Sequence, residues 1–208
     1  MAKNKAGIEI PDIYAEKYGV FEGQYSRRHS YKRASGVVSG SYHPGETKLL
    51  ESISEAIDKT GLKDGMTISF HHHFREGDGI LNLVLEEIAK KGFKNLTLAS
   101  SSIANIHEPI INHIKNGVIT NITSSGLRDK VGAAISNGLM ENPVIIRSHG
   151  GRARAVETGE LHIDVAFLGA SSSDAYGNSN GSHGKAPCGS LGYARVDAEF
   201  ADKVVIIT

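Results

Sequence analysis

Six short apolar runs, each set off by glycine, proline or charged residues, govern what this chain can fold into. They are "TISF", "KNLTLAS", "GVITNIT", "NPVIIRS", "LHIDVAFLGA" and "ADKVVIIT", spread between residues 67 and 208. Between them lie stretches whose apolar residues recur every three or four positions. "ETKLLESISEAIDKTG" places Leu49, Leu50, Ile53 and Ile57 at helical spacing and stops at Gly61. "GILNLVLEEIAKKG" puts Ile80, Leu81, Val84, Leu85 and Ile88 on one face, with Asp78 as the expected N-cap. "LRDKVGAAISNG" and "RARAVETG" read as shorter helices. Parallel strands need crossover connections, so this alternation predicts an α/β fold with a mostly parallel sheet covered on both faces. Ligands bind such sheets beyond the carboxyl ends of the strands. Chemistry is therefore expected in the residues that follow each run.

The organisation divides near residue 45. Residues 1–44 carry little periodicity and read as a weakly structured extension, and residues 45–208 as the α/β domain. Within the extension, "EGQYSRRHSYKR" clusters Arg27, Arg28, Lys32 and Arg33. It reads either as a solvated segment that packs on a partner or second domain, or as a patch for an anionic ligand. Lysine plus arginine and aspartate plus glutamate both number 23, which excludes a general basic surface for nucleic acid. The single cysteine, Cys188, excludes an internal disulfide and fits a reducing cytoplasm. "MAKNKAGIEIPDIY" has no apolar h-region, so no signal peptide is expected. No apolar run exceeds five residues, against the roughly 20 needed to span a bilayer. The chain stops inside "KVVIIT", which predicts that the polypeptide continues into a further domain; a strand ending the protein at a sheet edge is the alternative.

Three segments follow the strands with residues suited to chemistry. "TISFHHHFREGDGI" carries His71, His72, His73, Phe74 and Arg75. As a metal site the triplet is poor, because in an extended segment His71 and His73 share a side and His72 points away. A third ligand would have to be His43, His149, His183 or Cys188, none at a recognised spacing. A plain surface turn stays open. The favoured reading is a ligand loop, in which backbone N–H groups and Arg75 face an anion or oxyanion. "SHGGRAR" offers Gly150 and Gly151 for close backbone approach and Arg152 for a carboxylate or phosphate. The long small-residue segment "SSSDAYGNSNGSHGKAPCGSLG" offers Asp174, Gly177, Asn178 and Asn180. No G-x-S-x-G occurs and Cys188 has no adjacent base, so no catalytic nucleophile is assigned.

Taken together these stretches resemble CoA-transferase domains. The helix, "LKDGMTISF" and "GDGILNLVLEEIAKKGFKNLTLASSS" are similar to the opening of those enzymes, where the loop after the first strand is normally Gly-Gly-Phe. Here the histidines stand in its place, with Phe74 matching the phenylalanine. "GELHIDVAFLGASSSDAYGNSNG" resembles their strand followed by D-x-x-G-N, matched at Asp174, Gly177 and Asn178. The triplet, "VIIRSHGGRARAVETGELHIDVAFLGA" and "CGSLGYARVDAEFADKVV" resemble, more closely, the alpha subunits of citrate lyase.

The resemblance implies a three-layer α/β/α fold of the CoA-transferase superfamily, here the first of two related domains. It implies exchange of acetate for citrate on an acetyl-thioester, and hence three partners: an acyl-carrier gamma subunit, a beta subunit that cleaves the citryl group, and the small molecules citrate and acetate. The thioester is carried by a phosphoribosyl dephospho-CoA arm, for which acetyl-CoA can stand in, and no metal is expected. A homo- or hetero-oligomer in the cytoplasm is expected. Glutamates in the setting of a covalent glutamyl thioester are absent, so the site works by positioning and electrostatics. His71, His72, His73, Phe74, Arg75, Gly150, Gly151, Arg152, Asp174, Gly177 and Asn178 are the expected substrate-binding residues. Other readings remain: another carboxylate CoA-transferase, a non-catalytic sugar-phosphate-binding module of the same fold, a sugar-phosphate isomerase of similar fold, or a structural subunit with no activity of its own.

Overall fold

In a computed structural model of the protein, residues 1–20, 47–71, 74 and 77–208 are described. The chain divides into two units, Met1–Lys32 and Arg33–Thr208. In the first, β1 (Ala2–Lys3) pairs antiparallel with β2 (Glu9–Ile10), and helix α1 (Asp12–Tyr18) follows with no residue buried. The Arg27, Arg28, Lys32 and Arg33 cluster lies outside the described residues.

The second unit runs α2 (Ile53–Thr60), β3 (Thr67–His71), α3 (Ile80–Lys90), β4 (Leu96–Ser100), α4 (Ile110–Lys115) and β5 (Ile119–Ser124). It continues with α5 (Asp129–Ser136), β6 (Ile145–Ile146), α6 (His149–Glu157), β7 (Val165–Gly169), β8 (Ser172–Ser173), β9 (Ser179–Asn180), α7 (Arg195–Phe200) and β10 (Lys203–Ile207). Six strands form one sheet in the order β10-β7-β3-β4-β5-β6, every neighbouring pair parallel. All six apolar runs of the sequence lie in this sheet.

Alternation along the strands sorts side chains between two layers. Ile68 and Phe70 of β3, with Val165 and Phe167 of β7, join the core formed with α2, α3, α4 and α5. Phe70 and Phe167 stack at 5.5 Å, an aromatic pairing that adds about 0.5–1.5 kcal/mol beyond area burial and ties β3 to β7. The other residues of β7, Ala166 and Leu168, face a second cluster with Val156 of α6 and Val196 and Phe200 of α7. Helices therefore cover both faces, giving the three-layer α/β/α arrangement.

Two boundaries differ from the sequence pattern, each because a serine cap overrides spacing. Helix α2 begins at Ile53, since Ser52 Oγ accepts from Glu55 N at 3.1 Å. Leu49 and Leu50 are left exposed ahead of it. Helix α6 begins at His149, where Ser148 Oγ accepts from Gly151 N at 3.1 Å. Gly150 and Gly151 thus sit in the first turn of a helix, not in a loop. The N-cap of α3 is Gly79, one residue beyond the expected Asp78, whose Oδ1 accepts from Ile80 N at 3.0 Å. Helices α4 and α7 and the β8–β9 hairpin have no counterpart in the periodicity reading.

Candidate functional site at the switch point of the sheet

The connections out of β3 lead towards β4, β5 and β6, while the one out of β7 leads the other way to β10. β3 and β7 are neighbours, so the crevice between their carboxyl ends is the topological switch point where α/β sheets take ligands. Two of the segments singled out in the sequence leave the sheet there: the histidine segment after His71 and the small-residue segment after Gly169. Phe74 and Ile80 lie over Gly169, where an added Cβ would meet Ile80 Cδ1 at 2.5 Å and the Phe74 ring at 3.0 Å, so glycine there admits close packing of these two side chains on β7. His72, His73 and Arg75 lie outside the described residues.

Beneath this crevice β3 turns a polar side, Ser69 and His71, towards α6 and α7. A buried ion cluster fills the space. Arg152 of α6 and Asp197 of α7 are both fully buried, and they pair bidentately at 2.6 Å on each oxygen. His71 Nε2 is 3.0 Å from Asp197 Oδ2. Ser69 Oγ donates to the same oxygen and accepts from Arg152 Nη2 at 3.3 Å. Arg152 Nη2 also donates to Ala99 O of β4 at 2.9 Å. Burial pushes the Asp197 carboxyl up, but Arg152 and His71 outweigh it and hold the group well below the usual carboxylate range. Arg152, expected to meet a substrate carboxylate, has met one that belongs to the chain itself. With its guanidinium inside the core, its charge is neutralised by Asp197 and not directed at the crevice.

Tyr193, in the 3-10 turn Gly192–Ala194 ahead of α7, links this cluster to the surface. Its ring packs edge-on to His71 at 5.0 Å and against exposed His149 at 4.8 Å, with Arg152 Cζ 5.8 Å from its centroid. Burial pushes the Tyr193 phenol up, with the Arg152 charge opposing. The first turn of α6, carrying His149, Gly150 and Gly151, is thereby seated beside the end of β3.

Asp174, Gly177 and Asn178 form a turn closed on itself. Asp174 Oδ1 accepts from Tyr176 N and Asn178 N at 2.9 and 3.0 Å, and Oδ2 accepts from Asn178 Nδ2 at 2.8 Å. Gly177 takes φ +89°, the left-handed region that favours glycine. The Asn178 side-chain amide, then the backbone amides, hold the exposed Asp174 carboxyl below its ordinary value of 3.8. A depressed carboxyl stabilises the turn fully above that value and loses the contribution as pH falls through the lowered one. Acid titration followed by the Tyr176 and Asn178 amide resonances should therefore show the turn intact at pH 5 and opening only below pH 3.8. Opening centred above that pH would contradict these bonds.

The side chains of metal-ligand type that converge among the described residues are His162, Asp164 and Asp202. They precede β7 and β10, at the opposite end of the sheet from the crevice, and include none of the histidine candidates. Among the described residues no helix is long and apolar enough to cross a membrane. Sequence reading missed Ser69, Tyr193 and Asp197. The signal for Asp197 was present, since "RVDAEF" sets an aspartate between Val196 and Phe200, which the fold buries.

Comparison with known proteins gives a consistent relation. The family model described as citrate lyase, alpha subunit, matches residues 46–208. The citrate lyase alpha chain of Haemophilus influenzae is 56% identical over 187 residues, covering 90% of this chain and 37% of that one. That of Klebsiella pneumoniae is 58% identical over 163 residues, covering 78% of this chain and 32% of that one. A crystal structure from Streptococcus mutans, described as an alpha subunit of citrate lyase in complex with citrate, is 68% identical. It superposes with a TM-score of 0.90 over 98% of this chain and 40% of its own. The chain thus spans about a third to two-fifths of the length of the relatives it matches. With the fold, the switch-point crevice and these matches in agreement, the chain belongs to the citrate lyase alpha-subunit family.

Proposed function

We propose that this domain supplies one wall of a site in which citrate replaces acetate on an acetyl-thioester. The carrier arm belongs to a gamma subunit, and a beta subunit takes the citryl-thioester onward to oxaloacetate and acetyl-thioester. A citrate carboxylate attacks the thioester carbonyl, forming a mixed anhydride and releasing the thiolate. The thiolate then attacks the citryl carbonyl, and acetate leaves. Neither step requires a nucleophile from this chain. What the site must provide is donors for a tricarboxylate and for the oxyanions of both additions.

The observation that carries the reading is the convergence at one crevice of the end of β3 at His71 and the first turn of α6, joined through the Tyr193 ring. His72, His73 and Arg75 are assigned the carboxylates, with the N–H groups of His149 and Gly150 in the α6 first turn as further donors. Phe74 supplies an apolar wall against Gly169, and the Asp174–Asn178 turn shapes the neighbouring rim. The exchange itself, and its partner subunits, are proposed for a chain of the relatives' full length.

Calorimetric titration with citrate tests the reading, on this chain and on one extended to that length. Replacing His72, His73 and Arg75 together with alanine should raise the citrate Kd at least about 10- to 100-fold, since losing even one hydrogen bond to a charged group costs about 1.5–3 kcal/mol. The urea midpoint should stay unchanged. Equal citrate affinity in the parent and the triple variant would overturn the assignment of the loop. A sugar phosphate that binds where citrate does not would overturn the function.

A further inference from the structure

The buried ion cluster is more elaborate than stability asks for. A pair such as Arg152–Asp197 often stabilises a fold no better than apolar residues of equal volume. A bidentate pair differs from apolar packing in direction: the planar fork fixes two parallel bonds, and with them the orientation of both backbones. We propose that Asp197 is a positioning residue that, by gripping Arg152 and His71 at once, sets the spacing between the first turn of α6 and the end of β3. The inference rests on the reading above, in which those two places form the citrate site.

Four features support it. Asp197 Oδ2 receives Ser69, His71 and Arg152 together, so one oxygen joins β3 to α6. Arg152 follows directly on His149, Gly150 and Gly151, so a displaced guanidinium displaces the turn that bears their N–H groups. A further hydrogen-bond partner, Ala99 O, anchors the same group to β4. Tyr193, four residues before Asp197, fills the space between His71 and His149 and keeps the two ends from closing on each other. In a site that works by positioning, a displacement of about 1 Å can cost on the order of a hundredfold in rate.

Two variants test this in a chain of the relatives' full length. The double variant R152M/D197L replaces the pair with apolar groups and should keep a urea midpoint close to the parent's. Arg152→Lys keeps the charge balance but loses the fork. Positioning predicts that both variants stay folded, exchange the Gly151 and His71 amides at least tenfold faster, and bind citrate about tenfold more weakly. A purely structural pair predicts that Arg152→Lys matches the parent in exchange and in citrate Kd, and that result overturns the proposal. Faster exchange with an unchanged Kd overturns it as well. Should the parent itself ignore citrate, the functional reading falls, while the exchange rates still decide whether Asp197 sets the spacing.

Discussion

Asp197→Ala should lower the unfolding free energy by about 3–5 kcal/mol, because it strands the Arg152 guanidinium in the core without its counter-charge. Among the described residues no second carboxylate is bonded to it. Arg152 is fully buried, its remaining partners are the neutral Ser69 hydroxyl, Ala99 carbonyl and Tyr193 phenol, and His71 would add positive charge if protonated. A loss of this size is comparable with the whole stability of many domains. Urea unfolding followed by circular dichroism should give either a large drop in midpoint or no folded protein at all. The R152M/D197L variant should recover most of the loss, since no charge is then left buried. A midpoint for Asp197→Ala within about 1 kcal/mol of the parent would mean that water reaches Arg152 and that the cluster is not dry.

Gly184→Ala should open the segment between β7 and α7. A Cβ at Gly184 would collide with Ser171 O, and the residue also takes φ +101°. Gly181 is in the same position, with its added Cβ meeting Gly189 O. The backbone crosses itself there, and Cys188 N and Gly189 N both donate to Gly181 O at 2.9 and 3.0 Å. Since carbonyl oxygens cannot give way as flexible side chains do, the strand crossing must separate. Strain of this kind costs about 1–3 kcal/mol, and here it falls on a segment outside the main sheet. Limited proteolysis should therefore cut Gly184→Ala between residues 171 and 190 at conditions where the parent is intact. The six-stranded sheet should survive, as read by far-ultraviolet circular dichroism. Equal protease resistance would show that the crossing is slack.

Most of the sheet was legible because period-two alternation and short apolar runs are local signals. "VAFLG" announces a strand buried on both faces, and Val165–Gly169 is buried throughout. The three segments that follow strands were found for the same reason. What sequence could not supply was the partner of each polar group. Arg152 looked like a ligand for an outside carboxylate, since nothing local joins residue 152 to residue 197. The glycine pair looked like a loop because glycine disfavours helix interiors. The Ser148 cap, visible only with the Gly151 amide in place, draws both into the first turn. Helices α4 and α7 have six residues each, too few to establish a period.

The order in which β3 finds its partners has a consequence for synthesis. Ser69 and Asp197 are 128 residues apart in the chain, so at about 5–20 residues per second β3 leaves the ribosome roughly 6–26 s before its carboxylate is made. The strand at the centre of the sheet also waits for β7, while β4 is available 29 residues after its start. The β3–β6 half can assemble on its apolar face early, with Ser69 and His71 still hydrated on the other. That polar face makes the waiting intermediate less adhesive than a strand buried in oil on both sides. Closure then comes in one late step, when α7 brings in Asp197 and Arg152 leaves water.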